Sequence, residues 1–358
     1  IARADATGGL QAVSVAELGL VEDSDEAHAP REHTVGAGMS AQSALDAEAT
    51  SSTSEFGDGS DGDLTVSSGS TVYVDSVRAR ISSTSSSGQK NVYLASTSGF
   101  HAGNEVLVIQ MQGTGAGRYE FGRVASIASG RVVLEDNLQY TYSTSGNSTG
   151  QVLRVRNYRN VTVQGGGTLT AHAWNGSTGG VVAFRSNANV TINGEISADG
   201  NKGTAKLLYE GQTVAGAVGV GFRGGAGKAD SNRDVRAWGG EGHVGPSMTS
   251  TAANGNGAGG ARAIGAPTYA GGGGGGHAGH GGAGGDTGES VGGFGGEAVG
   301  TAALTSVFLG GGGGGGAREN NNVVSSGGAG GGIILVAGKQ IQVSGDISAR
   351  GGAGGGRT

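Results

Sequence analysis

Residues Asn160–Ala171, NVTVQGGGTLTA, decide the fold because the chain says them again: Asn189–Gly200 reads NVTINGEISADG and Gln340–Gly351 reads QIQVSGDISARG. Each copy is an apolar–polar–apolar strand, a turn containing Gly, and a second short strand. Before the second and third copies stand VVAF (Val181–Phe184) and IILV (Ile333–Val336), each behind a Gly-Gly pair. A unit this short cannot bury its apolar face alone, but it can when stacked on copies of itself, which is the logic of a β-helix rung. Val161 and Val163, Val190 and Ile192, and Ile341 and Val343 then face the inside of the coil. Thr162, Thr191 and Gln342 face outward. The pattern predicts an all-β solenoid with rungs over 156–200 and a closing rung with a Gly tail over 333–358.

Between these rungs lies a Gly-rich insertion, residues 201–332. Gly273, Gly276, Gly279, Gly282, Gly285 and Gly288 recur at every third position, Gly221, Gly224 and Gly227 repeat the spacing, and Gly310–Gly316 is unbroken glycine. Three residues per turn is the period of the polyproline-II helix, which has no internal hydrogen bonds. With glycine on its faces such a helix packs closely and bonds sideways to its neighbours. A bundle of polyglycine-II helices is therefore expected, with turns at Asp230–Asn232, Asn254–Asn256, Pro267 and Glu319–Asn322. Flexible linkers favour Ser, whereas this insertion carries VGVGF, RAWGG and TAALTSVFL.

Upstream, residues 56–155 alternate with period two in GDLTVSSGSTVYVDSVRARI (Gly62–Ile81), NVYLAS, EVLVIQMQ, YEFGRVASI and GRVVLEDNL. Short strands at this spacing predict a small barrel or sandwich. Residues 1–55 form an acidic, extended arm with ten acids against two bases, while the rest of the chain has 19 acids and 21 bases. An arm at −8 on a body at +2 is built to dock, on its own body or on a neighbour's.

Composition excludes several classes. There is no Cys, so no disulfide and no Cys-based zinc site. With 3 Pro the 80 Gly cannot be collagen. No apolar run approaches the roughly 20 residues of a membrane helix. A formal charge of −6 speaks against nucleic acid as a partner. A start at Ile1 without Met reads as a processed product, or a fragment, of an exported precursor.

FGDGSDGDLTV (Phe56–Val66), GFHAGNEVLVIQMQGTGAGRYEF (Gly99–Phe121) and GGTLTAHAWNGSTGGVVAFRSNANVTINGEISADG (Gly166–Gly200) resemble secreted glycine-rich surface proteins of bacteria. That resemblance implies export and a cell-surface role without defining a biochemistry. The insertion's architecture also resembles the polyglycine-II sandwich of a T-even phage tail-fibre tip adhesin, in which loops between glycine helices touch a receptor.

No catalytic, cofactor-binding or metal-binding residue emerges. Arg154, Arg156, Arg159, Glu195, Asp199 and Asp346 are scattered over the rungs without the paired spacing of acid–base catalysis. Asp58, Asp61 and Asp63 (DGSDGD) lack the EF-hand spacing and its closing Glu. His277 and His280, in HAGH, fall on one face of a three-residue helix about 9 Å apart, too far for one zinc ion. Trp174 and Trp238 are candidate sugar platforms, and packing at the edge of the Gly region suits them better. The Asn-X-Ser/Thr sequons at Asn147, Asn160, Asn175 and Asn189 carry no implication in a bacterial chain. The expected protein is a non-enzymatic, extracellular or cell-surface subunit that forms a homo-polymer, filament or sheath, through residues 1–55. The alternative is an adhesin that meets a receptor or cell-surface glycan through the loops Ala205–Thr213, Asp230–Thr251 and Ala317–Ser326.

Overall fold

The computed structural model describes residues 13–14, 55–230, 234–265, 268–319 and 322–355, and among them the chain is all-β with no helix. The remainder of the arm lies outside the described residues. Four rungs stack in parallel register. Leu64, Val161, Val190 and Ile341 align in one column, and Val66, Val163, Ile192 and Val343 in the next. Across the turn, Val72, Leu169, Ile196 and Ile347 form a third. Val161, Val163, Leu169, Ile192 and Ile196 are fully buried and carry the coil's core with Val182 and Phe184. The rung at Leu64–Val66 and Thr71–Tyr73 is one that sequence reading assigned to the small β domain. Its alternation is the same in a parallel rung as in an antiparallel hairpin, so periodicity alone could not tell them apart.

The small domain is a barrel. Arg78–Arg80, Thr149–Tyr158, Glu105–Gln112, Tyr119–Ala128, Arg131–Leu134 and Asn91–Tyr93 pair antiparallel in that order. The bridge Ile81↔Leu94 joins the last strand to the first. Val92, Val106, Val108, Val132 and Val152 fill the interior with Ile81 and Tyr142. Thr149–Tyr158 then pairs in parallel with Val181–Ile192, so barrel and coil share one sheet. Glu105–Gln112 is buried on both faces. Leu107, Ile109 and Met111 turn away from the barrel and pack with Trp174, Phe222, Leu309 and Ile333, which welds the barrel to the coil and the insertion.

In the insertion the hydrogen bonds report the helix directly. Along Gly310–Gly316, the amides of Gly310, Gly313 and Gly316 donate to Gly331, Gly328 and Ser325 at 2.8–2.9 Å. Those of Gly311 and Gly314 donate to Gly276 and Gly273, and those of Gly312 and Gly315 to Glu241 and Trp238. Every third residue meets the same neighbour, as three residues per turn require. A Cβ on Gly311, Gly312, Gly314 or Gly315 would lie 1.7–2.1 Å from a neighbouring carbonyl oxygen, so glycine is needed here for approach. The line from Gly273 to Gly288 is not one helix: 271–276 and 281–285 run antiparallel (Gly271→Gly285, Gly274→Gly282), and HAGH is part of the reversal between them. Short strands edge the bundle, including Ala205–Leu208 against Asn322–Ser325.

From the arm, Val13–Ser14 pairs antiparallel with the outer side of the fourth rung, Val13 opposite Val336 and Ser14 opposite Leu335. No helix among the described residues is long and apolar enough to cross a membrane.

Candidate functional site

The fourth rung presents the most conspicuous surface. Its strand Ile333–Val343 is paired with Val181–Ile192 along one edge, and among the described residues Val13–Ser14 pairs with two residues of the other. Beyond that contact the columns that are fully buried in the middle rungs come to the surface: Val343 is 47% exposed, and Ile341 and Ile347 are half-buried. A coil terminates well only when its last apolar layer is covered. Among the described residues the cover is a strand more than 300 residues away in sequence.

The charged residues weighed in the sequence are engaged in holding the fold together. Asp61 accepts from Arg154 Nη2 at 2.6 Å, from Arg156 Nη1 at 2.9 Å and from the Asn157 amide at 2.8 Å. Asp63 receives Arg159 in a two-pronged grip at 2.9 and 2.6 Å and takes a third bond from the Asn160 side chain. That grip holds the Asp63 carboxyl well below the usual carboxylate range. Asp58 lies 3.5 Å from Arg123. The DGSDGD turn is thus a clamp of carboxylates on the Arg residues of one barrel strand and its neighbours.

Two residues beyond each second strand, the rungs carry Asp75, His172, Asp199 and Arg350 in one column. Each acid accepts the backbone amide of the next basic residue: His172 N to Asp75 at 2.9 Å, Arg350 N to Asp199 at 2.6 Å. His172 Nδ1 also lies 2.8 Å from the buried Asp75 carboxylate, and its ring sits 4.4 Å from that of Tyr73. This ladder was not read in the sequence, though aligning VYVD, TAH, SAD and SAR by rung would have exposed it. Asp346 pairs with Arg350 at 3.0 Å, and Glu195 accepts from Ser348 at 3.4 Å.

Trp174 is fully buried, edge-on to Phe222, and donates to Glu241 at 3.1 Å. It is no sugar platform. Glu241, itself 1% exposed, also pairs with Arg223, so one carboxylate ties a coil loop to the glycine bundle. Trp238 is half-buried, and its carbonyl accepts the Gly315 amide. His277 faces the Phe308 carbonyl at 3.2 Å, while His280 is exposed. No cluster of three metal-ligating side chains occurs among the described residues. Of the three loops, Ala205–Thr213 exposes Leu207 and Tyr209, at 47% and 52%, and Asp230–Thr251 exposes Val244 and Met248. The Asn160 side chain donates across to Asp63, and Asn175 accepts the amides of Ser177 and Thr178 in its own turn.

No protein-family model matches the chain, and no curated protein is similar to it. Among solved structures, three phage tailspikes show slight likeness. The Gp54 tailspike of Acinetobacter baumannii bacteriophage AP22, solved in complex with A. baumannii capsular saccharide, is 13% identical over 38% of this chain and 26% of its own, with a TM-score of 0.20. The tailspike gp61 of Pseudomonas phage phi297 is 14% identical over 39% and 26%, with a TM-score of 0.20. The tailspike gp49 of Pseudomonas phage LKA1 is 13% identical over 39% and 30%, with a TM-score of 0.19. The chain thus spans less than a third of the length of each. Similarity this slight carries no argument about ligand or reaction.

Proposed function

We propose that the protein is an extracellular structural protein without catalytic chemistry, the subunit of a self-assembling surface filament or sheath. The observation that carries this reading is the antiparallel pairing of Val13–Ser14 with Leu335–Val336 on the free side of the last rung. A strand added to a sheet edge gains main-chain hydrogen bonds without needing a pocket. Exchanged between copies, the same contact is head-to-tail and does not close on itself, so it extends into a fibre. The arm's charge of −8 against +2 for the body supports the docking, as do the half-covered Ile341, Val343 and Ile347.

Electron microscopy of the purified chain, of a variant lacking residues 1–55, and of Val13→Pro tests it. Proline removes a ladder donor and blocks edge pairing. Regular fibres from the full chain that disappear in both variants are the expected result. Isolated particles in all three samples would overturn it. A second reading, an adhesin, is favoured by the exposed Tyr209 at the tip of its loop, since an aromatic face suits sugar stacking. It requires a monomer that is retained on a cell-wall glycan and released by Tyr209→Ala.

A further inference from the structure

We propose that the glycine bundle contains a binding groove for one more extended, glycine-rich strand, supplied by another polypeptide. Five segments surround Gly310–Gly316, and consecutive members are bonded to each other. Gly327 and Gly330 donate to 222–225, Trp238 and Glu241 to 223–226, Gly240 and Ala237 to 258–261, and Gly273 and Gly276 to 256–259. Around the central helix the order is therefore 326–332, 221–228, 237–241, 256–261 and 271–276. Between the last and the first, no such bond exists among the described residues. On that side lies a groove of about 210 Å³, walled by residues 275–278, 310–311 and 330–332 with Ala349 and Gly351.

The bond directions give the groove a chemistry. The central helix donates in three directions, and its carbonyls accept in two: Gly310, Gly313 and Gly316 from Phe222, Gly225 and Lys228, and Gly312 and Gly315 from Ala258 and Ala261. The third set, the carbonyls of Gly311 and Gly314, meets no backbone donor among the described residues. In segment 326–332, the amides of Gly328 and Gly331 likewise meet no acceptor among them, although both residues are buried. Buried backbone groups are almost always paired. A three-residue helix entering the groove would bring an amide to the first pair and a carbonyl to the second.

Sterics select the occupant. The walls are mostly glycine backbone, with His277, Ala278 and Ala349 beside it, and elsewhere in the bundle a Cβ at this approach would fall within 1.7–2.1 Å of an oxygen. The entering strand therefore needs glycine on every face turned to a wall, and any residue on the face turned to solvent. This chain's own glycine runs are already in the bundle. Its arm, residues 1–55, offers no run longer than Gly8-Gly9, and the strand we assign to the groove is one supplied in trans.

The groove can be filled without breaking the bundle. A Cβ on Gly313 would sit 3.4 Å from Gly328 N and 3.6 Å from Gly273 O, ordinary contact, and one on Gly351 meets nothing nearer than Ala329 O at 3.8 Å. The test uses the full chain and two labelled peptides, one of seven Gly between Lys residues and one with Ala in place of every Gly, read by fluorescence anisotropy. Saturable binding of the glycine peptide, at least roughly tenfold tighter than the alanine peptide, is expected. Gly313→Val and Gly351→Val should each weaken it by a similar factor. Hydrogen exchange at Gly328 and Gly331 should slow when the peptide is bound. Equal binding of both peptides, binding undiminished in folded Gly313→Val and Gly351→Val, or exchange at those amides unchanged by the peptide would overturn the proposal.

Discussion

Asp234 stands between two guanidinium groups. Arg262 grips both its oxygens at 2.8 Å, and Arg236 reaches one at 3.2 Å. Chiefly through the Arg262 bonds, its carboxyl is held down at about 2 instead of 3.8. A folded value below the unfolded one means that the pair stabilises the fold fully above about pH 4. The contribution fades as the pH falls toward 2. Both partners are partly exposed, so added salt weakens it as well. NMR titration of the Asp234 carboxyl checks this, and Arg262→Ala should move the midpoint up toward its ordinary value. An unmoved midpoint would show that the guanidinium is not the cause. Asp63 obeys the same logic under Arg159, whereas Asp61 bridges two arginines and a backbone amide. Such partners lie more than 90 residues apart in sequence, which is why the DGSDGD turn was legible as a turn but not as a clamp.

At the scale of the element, glycines that look alike in sequence do different work. Gly311 has the Asn256 carbonyl oxygen 1.7 Å from where a Cβ would go, while Gly282 has nothing within 4 Å. Gly311→Ala should therefore open the bundle and lower the thermal midpoint by many degrees. Gly282→Ala should be neutral or stabilise by about 0.4–1 kcal/mol, by restricting the unfolded chain. Paired melting curves decide it, and equal effects would contradict close lateral packing. The period of three was readable in the sequence because each helix must return to the same neighbour every third residue. The reversal at His277–His280 was not, since Gly continues on both sides of it with the spacing unbroken. Three rungs were readable because their apolar alternation is repeated with a Gly turn. The rung at Leu64–Tyr73 was hidden by its Ser-rich turn, SSGS, and by a spacing of 97 residues to its partner strand. Whether the preceding β region closes or stays open depends on one bridge, Ile81↔Leu94, which no local pattern announces.

The whole molecule divides its stabilisation unevenly. Barrel and coil rest on aliphatic cores, while the insertion rests on amide-to-carbonyl bonds with small clusters such as Val235, Ala237 and Ala263 at its edge. Exposing apolar surface raises the heat capacity on unfolding, and exposing polar surface lowers it. Calorimetry should give a heat-capacity change per residue below the usual ~12–15 cal/mol/K. A value inside that range would mean that more apolar area is buried than the cores account for. The lateral bonds around Gly310–Gly316 have one more consequence. A β-sheet resists force within its plane and yields when a strand is peeled from its edge. This central glycine helix is bonded to neighbours on five sides, so no single plane of weakness runs through it. A load applied across the bundle is shared among directions, and the insertion should behave as a stiff block, deforming less under a given force than the coil on which it is mounted.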